Sequence, residues 1–101
     1  MMSSRVPIVL YINSPEEVSP GVFEPVYTPL KIKAEQEQIS QRRRDLASYE
    51  GRVITARFRV KSYLITGAVD KVLWGGSTYK VNQVLENVED HDSIIEIGEL
   101  V

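Results

Sequence analysis

At 101 residues, 43% hydrophobic and 26% charged, the chain has an ordinary globular composition. It has room for one domain and one core, but not for a core plus a deep, walled active site. Its net charge of −2 lacks the basic excess usual in nucleic-acid binders, and the absence of cysteine excludes disulfides and thiolate chemistry.

Val6 to Ile12 is rich in β-branched and aromatic residues and reads as a first strand, with Pro7 near its start. Arg5 and Pro7 interrupt the N-terminal segment, so a signal peptide is not expected, and no apolar run is long enough to cross a bilayer. Asn13 to Gly21 is dense in turn formers and reads as a loop. Val22 to Thr28, with Pro25 inside it and Pro29 after it, reads as extended and irregular. From Leu30 the sequence alternates, which predicts a strand with Leu30, Ile32 and Ala34 inward and Lys31, Lys33 and Glu35 outward.

Gln36 to Gly51 breaks that alternation and is rich in Gln, Glu and Arg. Two readings stay open: a long mobile loop, or a weak helix using the spacing of Ile39, Leu46 and Tyr49. Its Arg42-Arg43-Arg44 cluster, preceded by Gln41, reads equally as a contact for phosphate or an acidic protein, or as a solvated loop tip.

Arg52 to Ser62 alternates cleanly. Ile54, Ala56, Phe58 and Val60 are expected to face the core, and Thr55, Arg57, Arg59 and Lys61 to form a solvated outer stripe. Val69 to Trp74 and Ser77 to Val84 flank Gly75-Gly76, the pattern of a tight hairpin turn that requires positive φ. Tyr79 and Val81 share a face, and a bulge is expected near Asn82-Gln83. Glu89 to Asp92 reads as a turn, and Ser93 to Leu100 as a closing strand with Ile95 and Ile97 on one face.

About six strands with short turns and no βαβ alternation predict an all-β domain over residues 1–101, a small antiparallel barrel or compact sandwich. The long polar loop 36–51 joins its second and third strands. Closure into a barrel removes the unpaired edges that invite aggregation.

The chemical inventory is thin, and no enzyme, cofactor or metal site is expected. His91 sits among Glu89, Asp90 and Asp92, without the second His or Cys of a transition-metal site or the spacing of a calcium loop. No nucleophile-and-base pairing or phosphate-binding glycine motif occurs. Phe58 and Tyr79 fall on apolar strand faces, which suits core better than base stacking, and Trp74 is placed to cover one barrel end. The segment 86–101 carries six acidic residues and no Lys or Arg. Its residues Glu89, Asp90, Asp92, Glu96 and Glu99 form a candidate subunit-interface patch, opposite in sign to the arginine cluster.

The run Asp70 to Val81, followed by Gln83-Val84-Leu85 and the closing Ile94 to Leu100, resembles the hairpin and last strand of small tailed-bacteriophage neck proteins. These are the head-tail joining proteins, also termed connector, stopper or head-completion proteins. Val53 to Val60 is similar to their central strand, and Val6 to Ile12 to their opening strand. The resemblance implies a virion structural protein that is made in the host cytoplasm and sits in the neck. It implies a homo-oligomeric ring, a hexamer or dodecamer, formed on assembly from a chain that is monomeric in isolation. The ring's neighbours would be a portal or adaptor protein above and a tail-terminator or tail-tube protein below, with no membrane. It also implies that the loop carrying Gln41, Arg42, Arg43 and Arg44 lies in the channel and makes weak, non-specific contact with packaged double-stranded DNA. The alternative is a small OB- or SH3-like barrel that binds nucleic acid directly.

Overall fold

A computed structural model of the chain describes residues 5–39, 41–42, 45–46, 50–51, 53–89 and 91–101. Eight strands are present among them: β1 (Arg5–Asn13), β2 (Glu16–Ser19), β3 (Val22–Glu24), β4 (Tyr27–Glu37), β5 (Ala56–Lys61), β6 (Ala68–Trp74), β7 (Ser77–Glu89) and β8 (Asp92–Leu100). Six of them close a barrel in the order β1-β4-β5-β8-β7-β6, and every neighbouring pair is antiparallel. The expected all-β barrel is therefore the observed fold. Its long polar connection does leave between the second and third barrel strands, β4 and β5.

Alternation fills the interior. Ile8, Leu10 and Ile12 of β1, Ala34 of β4, and Ala56, Phe58 and Val60 of β5 point inward. Val69 and Val72 of β6, and Ile95 and Ile97 of β8, complete the buried cluster. Trp74 stacks edge-on against Phe58 at 5.5 Å and tilts against Tyr79 at 6.1 Å. All three rings thus pack on the core, and Trp74 is only partly exposed.

Register shifts adjust this alternation, and two of them matter most here. Tyr11 pairs with Lys71 but Ile12 pairs with Val69, so Asp70 is an extra residue in β6. Without it Val69 and Val72, three positions apart, would not both face inward. The second bulge lies where Asn82-Gln83 predicts one: Val81 pairs with Ile97 and Gln83 with the adjacent Glu96, leaving Asn82 over.

Gly75 and Gly76, at φ 59° and 82°, make the turn between β6 and β7. At the next turn Glu89 pairs directly with Asp92, and His91 takes φ 60°.

Three expectations need correction. Residues 13–28 do not form a plain loop and an irregular stretch. β2 and β3 pair into a separate hairpin, and Tyr27 already belongs to the barrel. Pro20-Gly21 forms its turn, with Gly21 at φ 77°, a conformation open to glycine at little cost. Gln36 and Glu37 are not loop but the end of β4, laddered to Phe58 and Arg57. Finally, the outer stripe of β5 is not simply solvated, because its cations are partnered by carboxylates on β4 and β8.

Candidate interaction surfaces

The long connection is one candidate. Gln41, Arg42, Asp45 and Leu46 are helical and exposed, and Gln41 Nε2 donates to Asp45 Oδ1 at 2.8 Å, one helical turn on. The Glu50 amide donates to the Leu46 carbonyl at 3.1 Å. The structure thus takes the helical alternative for these residues and leaves Arg42 facing solvent. Arg43 and Arg44, the rest of the basic cluster, lie outside the described residues.

The acidic candidate patch is divided by the fold. Glu96 is 1% exposed and Asp92 9% exposed, so neither belongs to an open surface. The cause is cross-strand pairing: β5 lies antiparallel to β8 with Arg57 opposite Glu96 and Lys61 opposite Asp92. Arg57 Nε forms an ion pair with Glu96 at 3.9 Å, and Asn82 and Gln83 donate hydrogen bonds to the Glu96 carboxylate at 3.3 and 3.5 Å. Asp92 takes Lys61 at 2.8 Å and Arg59 at 3.6 Å, while Arg59 donates to Glu37 at 2.6 Å. The hydrogen bond from the Lys61 ammonium holds the Asp92 carboxyl below its ordinary value, against the opposing effect of desolvation, and Arg59 adds to the lowering. Of the expected patch, Glu99 is exposed, Asp90 lies outside the described residues, and the Glu89 backbone pairs with Asp92.

The segment before β5 is laid along this seam. Thr55 donates its amide to Ile97 O at 2.9 Å and its hydroxyl to Gly98 O at 2.7 Å, and Asn82 donates to Val53 O at 2.8 Å. A Cβ at Gly98 would stand 2.4 Å from Asn82 Oδ1 and 2.7 Å from Val53 O, so this close approach requires glycine. His91 is exposed, and among the described residues no group of three side chains suits a metal ion.

Sequence reasoning missed two surfaces. One is the β2–β3 hairpin, an arm whose residues are all exposed: Phe23 at 60%, Val18 at 53% and Val22 at 49%. Its base is fastened to the barrel. The bulge aims Asp70 outward, where its Oδ2 accepts from Asn13 Nδ2 at 3.1 Å and from Tyr27 Oη at 3.2 Å. The Lys71 ammonium lies 4.7 Å from the Tyr27 ring centroid, and the Ser14 amide donates to Val26 O at 2.8 Å. Desolvation, then the Asp70 hydrogen bond, raises the Tyr27 phenol above its ordinary value.

The other is the outer face of β1. Lys31, Val9 and Leu73 form one cross-strand row, and Pro29, Tyr11 and Lys71 the next. Two hollows follow this face: one of about 370 Å³ lined by Pro7, Val9, Lys31, Leu73 and Trp74, and one of about 320 Å³ lined by Tyr11, Tyr27, Lys71, Thr78 and Val101. The signal was present in the unbroken apolar run of β1, since a strand with one solvated face should alternate.

The structure places the chain in a broad class, the small closed antiparallel β-barrels. No protein-family model matches the sequence, and neither curated proteins nor solved structures give a significant match. Among the described residues no helix is long and apolar enough to cross a membrane.

Proposed function

We propose that this chain is a structural head-tail joining protein of a tailed bacteriophage, a connector or stopper that forms a ring in the virion neck. The ring would join a portal or adaptor protein to the tail and help retain packaged DNA. The observation that carries this reading is the long connection from Gln38 to Thr55. It leaves a six-stranded barrel between β4 and β5 and holds Arg42 in solvent on a short helical segment. The sequence resemblance over the β6–β7 hairpin and β8 supports it, as does the order of the strands.

Physically, the connection would act as a local electrostatic contact. Arg42, Arg43 and Arg44 can neutralise about three phosphates, enough for a salt-sensitive brush against DNA rather than a specific site. Many copies around a ring would multiply that weak contact.

The test replaces Arg42, Arg43 and Arg44 with Ala together. The expected result is a folded protein in particles that leak DNA or fail to join tails. Normal infectious particles would remove the basic cluster from the function. A gel-shift measurement at moderate salt separates the direct nucleic-acid-binding alternative: sub-micromolar binding by the isolated chain would favour it over the neck reading.

A further inference from the structure

We infer that the β2–β3 arm of one copy docks on the outer face of β1 of a second copy. The contact deepens the ring reading and rests on it only for closure of the ring. The pairwise contact stands on the two surfaces themselves.

The two surfaces match in polarity. The arm shows Val18, Val22 and Phe23 to solvent, and residues 14–26 carry Glu16, Glu17 and Glu24 with no Lys or Arg. The outer face of β1 shows Pro7, Val9, Tyr11 and Leu73, bordered by Lys31, Lys33 and Lys71 on the flanking strands. Apolar side chains ringed by carboxylates thus face apolar side chains ringed by ammonium groups. That arrangement fixes orientation and rejects the like-with-like pairing of two arms.

The arm is held away from its own barrel. Asp70, Asn13 and Tyr27 clamp its base, and every residue from Ser14 to Pro29 is exposed. A paired two-stranded hairpin with exposed apolar side chains is marginal alone in water and gains stability by packing on another surface. A second copy supplies such a surface at the same concentration as the arm.

Since arm and face are different patches of one chain, the contact is heterologous. Repetition makes a closed ring or an open filament according to the rotation between copies. An arm of this size buries well under the roughly 1,600 Å² of a standard interface, so one contact is weak. Ring closure gives each copy two contacts, its own arm and its neighbour's. The same arithmetic predicts a chain that stays monomeric when dilute.

The chain has no cysteine, which makes directed cross-linking clean. A Val9→Cys chain is mixed with a Phe23→Cys chain and oxidised. The expected product is a disulfide-linked pair, formed well above the background set by Phe23→Cys mixed with Glu86→Cys. The double variant Val9→Cys/Phe23→Cys should give a ladder of oligomers. Adding Glu24→Lys to the arm partner should weaken cross-linking by up to about fivefold, and Lys31→Glu on the face partner should restore it. Cross-linking no greater than the Glu86→Cys control would overturn the contact. So would a double variant that closes within a single chain, because the arm would then lie on its own barrel. Ring-bearing particles without the cross-link would sink this contact and leave the neck assignment standing. Cross-linking in solution by a chain that no virion incorporates would do the reverse.

Discussion

Strand β8 buries polar side chains, while the β2–β3 arm exposes apolar ones. Along β8 every residue from Asp92 to Gly98 is buried, Glu96 among them, and the charges are met across the strand by Arg57, Arg59 and Lys61. Along the arm every residue is exposed, including Phe23. The first region pairs its charges across neighbouring strands, and changes there should be felt as lost stability. The second is open, and changes there should be felt as lost association. A folded monomer has little reason to keep Phe23 in water, so the contrast separates what holds the barrel from what would be left to meet a partner.

The largest expected effect is in the seam. Glu96→Ala would leave Arg57 facing a cavity and strip Asn82 and Gln83 of an acceptor, at a cost of about 3 kcal/mol in urea unfolding. A neutral result would mean the seam is not structural. Gly98→Ala follows, at about 2 kcal/mol, because the new methyl must displace Asn82 and the Val53 carbonyl. A crystal structure of that variant should show the 53–55 segment lifted from β8.

Acid tests the same seam through Asp92. Its carboxyl is lowered in the folded state, so the stabilisation is present above the ordinary carboxylate value and disappears as pH falls through the lowered one. Wild type should therefore exceed Asp92→Asn in urea midpoint near neutral pH, and the gap should close below about pH 4. A gap that widened in acid would reverse the assignment of Lys61 as the main partner.

Smaller effects belong to the arm. Asp70→Ala frees Asn13 and Tyr27 at a cost of about 1 kcal/mol, and hydrogen exchange should rise at Asn13 to Ser19 while the barrel stays protected. Phe23→Ser should change global stability by less than about 0.5 kcal/mol, yet weaken self-association measured by sedimentation of the concentrated protein. A Phe23→Ser chain that unfolds readily would place the arm in the core ledger and erase the contrast.

Much of the barrel was legible because short-range chemistry dictates it. Period-two alternation marks β5, whose Ala56, Phe58 and Val60 are buried as read. Gly75-Gly76 admits the positive φ its hairpin needs, and the slip at Asn82-Gln83 signals a real bulge. The polar break before β5 locates the long connection, with Arg42 left in solvent.

The rest depended on which strands become neighbours, a matter of loop closure over long sequence separations. Nothing local to Glu96 says that Arg57 will lie opposite it, so an acidic segment read as an open patch became half internal seam. Nothing local to Asp70 says that a bulge will turn it toward Asn13 and fasten an arm. Alternation and turn chemistry act between adjacent residues and so are written in the sequence. The pairing of charges and the exposure of Phe23 arise only when the barrel closes and decides which surfaces meet water.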